Sequence, residues 1–258
     1  MKVAIIGGTG IERLPGITLE EMALDTPYGK VMVYRANEHG SAALYYLNRH
    51  GSQAQTPPHQ INFRGNLKAL HMLGVERILA TNAVGSIDPG LPPGSLAVLD
   101  DFIDFTSGRI LTFYDGGESG HAYTEMSEPY CPALRQRLLA LAAEFDLELH
   151  PRATYVCTNG PRFETPSEIN MFSRLGGEVV GMTGVPEVVL AKELGIHYAA
   201  VAYSINWAAG LEPSIRIVKE GIPDLLARLL SLLIKTLQYP ESFSCYCTSA
   251  VHWVQPPR

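Results

Sequence analysis

The chain predicts an α/β fold, and three observations carry that expectation. Ile196 to Ile205 is a nearly unbroken apolar, β-branched-rich run, as expected of a strand covered on both faces. Gly181 to Gly195, just before it, reads as a helix. Thr183 is a candidate cap, Pro186 and Glu187 suit a first turn, and Val189, Leu190 and Leu194 keep helical spacing until Gly195. Finally, the strand delivers Ser204, Asn206 and Trp207 at its carboxyl end, where open α/β sheets bind their ligands.

Composition narrows the function classes. A chain of 258 residues with 46% apolar and 18% charged residues buries a sizeable core. A net charge of −6 and a pI near 5.8 argue against a nucleic-acid footprint or a polybasic membrane surface. No apolar run approaches a membrane span, and Met1 to Gly10 reads as a strand ending in glycines, not as a signal peptide. Four cysteines (Cys131, Cys157, Cys245 and Cys247) are too few for a disulfide scaffold. A cytoplasmic globular enzyme is the expectation. Without a repeat or a linker, residues 1–258 read as one domain, with 239–258 as a tail carrying Cys245-x-Cys247.

Taken in order, Lys2 to Ile6 is a buried strand running into Gly7-Gly8-Thr9-Gly10, whose glycines let backbone approach an anion. A dinucleotide fingerprint would need its third glycine where Arg13 stands, which disfavours a nicotinamide oxidoreductase. Leu19 to Leu24 and Val31 to Tyr34 flank a turn at Thr26-Pro27-Tyr28-Gly29. Ala42 to Leu47 is a strand emitting Asn48-Arg49-His50-Gly51, where the Arg fork and a second His donor suit phosphate oxygens. Thr56 to Gln60 is a stiff loop before a helix from Ile61 to Leu73. Val75 to Thr81 is a strand, and Asn82-Ala83-Val84-Gly85-Ser86 reads as a second anion-type loop. Ser95 to Phe105 reads as one strand. Residues 106–131 form a long polar connection with His121 and Tyr123, of a length more often functional than idle. Pro132 to Phe145 is an amphipathic helix, and Ala153 to Thr158 a strand leading to Gly160-Pro161-Arg162-Phe163-Glu164-Thr165. Helices are expected over Pro166 to Leu175 and Pro223 to Leu237. Cys245 and Cys247 read as ordinary thiols in a mobile tail.

Together these pieces resemble the trimeric purine nucleoside phosphorylases, in particular the 5′-methylthioadenosine and 5′-methylthioinosine phosphorylase branch. The motifs that carry the likeness are Gly7-Gly8-Thr9-Gly10, Arg49-His50-Gly51, Asn82-Ala83-Val84-Gly85-Ser86, Gly160-Pro161-Arg162-Phe163 and Met182-Thr183 through Val185-Pro186-Glu187. The resemblance implies a single α/β domain around a central mixed, twisted sheet flanked by helices, assembled as a homotrimer with sites near subunit interfaces. It implies phosphorolysis, in which phosphate attacks C1′ of a nucleoside and releases the purine and a sugar 1-phosphate. By position, Thr9, Arg49, His50, Asn82, Ala83 and Thr183 would hold phosphate. Phe163 would stack on the base, the Met182 backbone would meet the ribose, and Asn206 and His50 would be catalytic. Asn82 stands where adenosine-type relatives have Thr.

Such a reaction needs a dianion held beneath C1′ and hydrogen bonds waiting for charge on the leaving purine. It calls for inorganic phosphate as co-substrate and for no organic cofactor. The sequence shows neither a zinc-like ligand cluster nor a Ser/His/Asp set, so no metal is expected. Two departures from the adenosine-type pattern point to a 6-oxopurine. The strand end reads Asn206-Trp207-Ala208 where those relatives have Asp-Tyr-Asp, and Glu164 follows the stacking Phe where human-type adenosine enzymes have Ser. Asn206 donates to O6 and accepts from N7–H, while Glu164 accepts from N1–H; Ala208 offers the adenine amino group nothing. The competing reading of Glu164 is a carboxylate at a helix N-terminus. For the 5′ pocket the candidates are Tyr123, Ile217, Val218, Ile222, Leu225 and Leu226, which leaves inosine, guanosine and 5′-methylthioinosine open. A 5′-methylthioadenosine phosphorylase and a non-catalytic nucleoside-binding protein are the rival readings.

Overall fold

Among the described residues the strands and α-helices follow in the order β1 (Lys2–Gly7), β2 (Leu19–Thr26), β3 (Gly29–Ala36), β4 (Ala43–Asn48), α1 (Phe63–Met72), β5 (Arg77–Ser86), β6 (Leu96–Val98), β7 (Asp101–Asp104), β8 (His121–Thr124), α2 (Pro132–Leu141), β9 (Leu149–His150), β10 (Thr154–Cys157), α3 (Pro166–Arg174), β11 (Val179–Gly181), α4 (Glu187–Glu193), β12 (His197–Trp207), α5 (Ile222–Leu237) and β13 (Val251–Gln255). This computed structural model describes residues 1–11, 14, 16–36, 43–53, 55–239 and 243–257. Arg13 and Ala42, both used in the sequence reading, lie outside them. Among the described residues no helix is long and apolar enough to cross a membrane.

Among the described residues eleven strands form one mixed sheet, which forks at β5. One limb runs β2-β3-β4-β1-β5, with β1 parallel to both β4 and β5. Past β5 the sheet continues as β11-β10-β7, while β12 pairs along the length of β5 and carries β6 and β9. The apolar continuity of β1 and β12 follows from this centre position. Ala4 and Ile6 face one core cluster while Val3 and Ile5 face the other; Tyr198, Ala200 and Ala202 alternate in the same way with Ala199, Val201 and Tyr203. Phe63, Leu67 and Leu70 of α1 and Val188 and Leu190 of α4 close the first cluster; Leu134 and Leu138 of α2 and Leu229 and Leu233 of α5 close the second. Helices therefore cover both faces, as a central parallel strand requires.

Several elements differ from the sequence expectation. Asn82 to Ser86 continues β5 instead of forming a loop, because β12 pairs with it as far as Ser86. Ser95 to Phe105 is two strands: the chain leaves β12 after Val98 and joins β10 from Asp101, so one run serves both limbs. The helix starting at Pro132 is α-helical only to Leu141, then tightens into a 3₁₀ turn that Asp146 ends at φ 52°. Thr183 does not cap α4; that helix starts after Pro186. Within the tail, Val251–Gln255 forms a strand: β13 pairs antiparallel with β8.

Candidate active site

Parallel register brings the strand-end motifs together. Gly7 pairs with Asn48, Ile6 with Ala80, and Trp207 with Ser86, so the carboxyl ends of β1, β4, β5 and β12 open on one side of the sheet. A cavity of about 220 Å³ lies there, bounded by Gly8, Thr9, Arg49 and His50 at one end and by Phe163, Glu164, Asn206 and Ala208 at the other. Met182, Thr183 and Ala83 line its middle. Larger hollows exist, one of 480 Å³ beside Leu14, Ile17 and Tyr46, but they gather no comparable set of converging motifs.

The first end gathers hydrogen-bond donors around a buried ion pair. Arg49 is fully buried and its guanidinium grips Glu187 through two bonds of 2.6 Å, with a third from Nη1 to the Thr81 carbonyl at 3.0 Å. Burial opposes the Arg49 charge, and Glu187 more than offsets it, so its pKa stands above the ordinary value. Three of five N–H groups are thus committed, which leaves two for a ligand. Gly8 is needed here, since a Cβ on it would stand 2.8 Å from Arg49 Nη1. Tyr155 Oη accepts from the Thr183 and Gly184 amides at 3.1 and 3.2 Å, and Asn82 Nδ2 donates to Thr183 Oγ1 at 3.0 Å. Asn82 therefore does not line the cavity; it orients Thr183, which does.

His50 needs a correction. Its Nδ1 lies 2.8 Å from the Thr56 carbonyl, so Nδ1 carries the proton and Nε2 is the acceptor of the neutral ring. Burial lowers its pKa, and the neighbouring Arg49 charge lowers it further. The neutral imidazole takes a hydrogen bond from a P–OH or a sugar hydroxyl; the donor role expected from the sequence is available only to the imidazolium.

The second end matches a polar, planar ligand. Glu164 is 8% exposed, and its Oε1 accepts from Thr158 Oγ1 at 2.7 Å. It is not the helix-terminal carboxylate: Thr165 caps α3, and Glu168 completes the capping box. Asn206 follows a bulge where β12 slips one residue against β5, which turns its amide into the cavity. Nδ2 donates to the Trp207 carbonyl at 2.8 Å, leaving one N–H and Oδ1 for a ligand. Phe163, half exposed, offers a ring at the mouth. The Met182 carbonyl accepts from Arg109 Nη2 at 2.7 Å and keeps a second lone pair.

The 5′ candidates fare unevenly. Ile217 lines the cavity, joined by Ile215, which the sequence reading passed over. Ile222, Leu225 and Leu226 pack into the second core cluster instead, because the first turn of α5 lies on the sheet. Val218 is half-buried with its amide on the Ile205 carbonyl, outside the lining. Tyr123 sits on β8, exposed and away from this chain's own cavity. Two organising residues were also missed. Glu187 has no exposure and also accepts from Tyr198 Oη at 2.8 Å. Arg109 gathers the carbonyls of Asn159, Met182 and Val185, fixing the two loops that carry Phe163 and Thr183. The run Val185-Pro186-Glu187 was a visible signal for the first; nothing near Arg109 marked the second.

Known proteins similar to this chain carry phosphorylase names. A 6-oxopurine nucleoside phosphorylase of Pyrococcus furiosus is 42% identical over 97% of both chains. A probable S-methyl-5′-thioinosine phosphorylase of Methanopyrus kandleri is 43% identical over the same shares. Methylthioadenosine phosphorylase from Schistosoma mansoni in complex with tubercidin superposes with a TM-score of 0.85 at 32% identity, covering 92% of this chain and 91% of that one. The phosphorylase superfamily model matches residues 2–237, and this chain, with its converging strand ends and buried Arg49–Glu187 pair, belongs to that family.

Proposed function

We propose that the protein cleaves 6-oxopurine nucleosides with inorganic phosphate, giving the free purine and ribose or methylthioribose 1-phosphate for purine salvage. It works as a homotrimer with no cofactor beyond that co-substrate. The observation that carries the reading is the pairing of Glu164 and Asn206 on one wall of a cavity whose other end is an anion cradle. Phosphate held by Thr9, Arg49, His50 and Thr183 lies beneath C1′ and attacks as the C1′–N9 bond breaks. The bonding pair leaves with the purine, which takes a proton at N7 from solvent as the P–OH of the hydrogen phosphate gives its own proton back, so the products are the sugar 1-phosphate dianion and the neutral base. Asn206 meets the charge gathering on O6 and N7, and Glu164 accepts from N1–H. Preorganised bonds of this kind are worth about 3–4 kcal/mol each at the transition state. Ala208 gives an adenine amino group no partner. The names of the relatives from Pyrococcus furiosus and Methanopyrus kandleri support this reading.

At the 5′ end, Ile215 and Ile217 favour an apolar substituent, so 5′-methylthioinosine is the preferred form of the substrate. The reading is tested by incubating inosine, guanosine, adenosine, 5′-methylthioinosine and 5′-methylthioadenosine with and without phosphate. Base release is expected only with phosphate, and 6-oxopurines should exceed their 6-amino counterparts by about 10⁴–10⁵-fold in kcat/KM. Equal cleavage of 5′-methylthioadenosine would assign the adenosine-type activity instead, and cleavage at full rate without phosphate would make the protein a hydrolase. The triple substitution Asn206→Asp, Ala208→Asp and Glu164→Ser should shift preference toward adenine nucleosides.

A further inference from the structure

Far from this cavity, four side chains that phosphorolysis does not use meet at the other end of β12. Cys131 stands at the head of α2, His197 opens β12, and Cys245 and Cys247 come from the tail. Their four ligand atoms all lie within 4.8 Å of one another. Cys131 Sγ is 3.8 Å from Cys245 Sγ, and His197 Nδ1 is 3.6 and 3.2 Å from those two sulfurs. A tetrahedral zinc ion, with Zn–S about 2.3 Å and Zn–N about 2.0–2.1 Å, requires S···S edges of about 3.8 Å and S···N edges of about 3.6 Å. The three edges among Cys131, Cys245 and His197 agree with this to within a few tenths of an ångström, and the Cys247 sulfur lies within 4.8 Å of all three.

We propose that Cys131, His197, Cys245 and Cys247 form a structural zinc site that clamps the C-terminal tail to α2 and β12. Four protein ligands close the coordination shell, as in structural rather than catalytic zinc centres. Cys131 and Cys247 are buried and all three thiols are free. The Phe243 ring stands edge-on to His197 at 5.2 Å and shields the site. Zinc with three thiolates and one neutral imidazole carries one net negative charge. The Arg77 guanidinium, over the Phe243 ring at 4.0 Å and within electrostatic reach of Cys131 and Cys245, offsets it. Binding changes no oxidation state; zinc displaces the thiol protons into solvent. Asn206 lies nine residues beyond His197 on β12, roughly 30 Å away at about 3.3 Å per residue, so the ion takes no part in the reaction. Its consequence is structural, since it fixes the chain just before β13, the strand that holds β8. The sequence reading expected no metal because its ligands come from three separate segments, and only Cys245-x-Cys247 is contiguous.

The test uses the full-length protein, reduced, stripped with a chelator and dialysed against Zn²⁺ or Co²⁺. One Zn²⁺ per chain is expected, with a Co²⁺ derivative showing thiolate charge-transfer bands and the strong visible bands of tetrahedral cobalt. The Cys245→Ser/Cys247→Ser variant should lose stoichiometric binding and the zinc-dependent rise in Tm. Reduced wild-type protein that binds no zinc, or a cobalt spectrum without thiolate bands, overturns the proposal. So does a double variant that keeps its zinc. Should that variant not fold, wild-type stoichiometry and the cobalt spectrum decide the matter alone.

Discussion

Arg49 is tied at once to the core, through Glu187, and to the lining of the cavity. Its pair with Glu187 is buried on both sides, so removing either partner strands a charge in the core. Arg49→Ala should therefore lower stability by about 3–5 kcal/mol as well as weaken phosphate binding. Thermal denaturation and the phosphate KM, measured together, check this; a raised KM with an unchanged Tm would mean that the pair holds only the ligand. His50 makes a pH prediction. Its folded pKa lies below the ordinary 6.5, so the fold favours the neutral ring. Its contribution to stability is whole above about pH 6.5 and is lost as pH falls through the lowered folded value. Since neutral Nε2 is the acceptor at the anion end, kcat/KM should fall over the same acidic window. His50→Gln should lose that limb of the profile, and a profile identical to wild type would remove His50 from the phosphate site.

At the scale of elements, the site was legible wherever its residues are contiguous at a strand end. Gly8-Thr9, Arg49-His50, Phe163-Glu164 and Asn206 all reach the cavity, because parallel register sends neighbouring strand ends to one side. The parts that stayed hidden depend on distant partners. Small residues made Asn82 to Ser86 read as a loop, yet pairing with β12 holds them as strand. Glu187 is 138 positions from Arg49, and the 5′ candidates on α5 failed because the intervening segment left their register open. The loop that presents Phe163 depends on Gly160. That residue has φ 61°, and a Cβ on it would collide with Met182 Sδ. Gly160→Ala should thus cost about 1–3 kcal/mol of stability and raise the nucleoside KM with less effect on the phosphate KM. Equal changes in both KM values would show that the loop serves the whole cavity and not its base end.

At the scale of the molecule, the mouth of the cavity is open to solvent in one chain. Phe163 and Ile217 are 50% and 52% exposed at its mouth, and Tyr123, on the β8–β13 ribbon, is 66% exposed and does not reach it. Exposed apolar side chains also recur at Phe105, Ile110, Leu111, Met171 and Leu175, surface that a lone chain leaves in water. A closed trimer accounts for both features if the ribbon of one protomer covers the mouth of the next, with Tyr123 meeting the 5′ group of the neighbour's substrate. Sedimentation equilibrium should then give three times the 28.2 kDa chain mass. If each site needs its neighbour, dilution into monomers should abolish activity. Tyr123→Ala should raise KM for the 5′-methylthio nucleoside about tenfold while leaving the phosphate KM unchanged, a loss of about 1.4 kcal/mol confined to one end of the substrate. A fully active monomer would refute the shared site, and it would place the whole of 5′ recognition on Ile215 and Ile217.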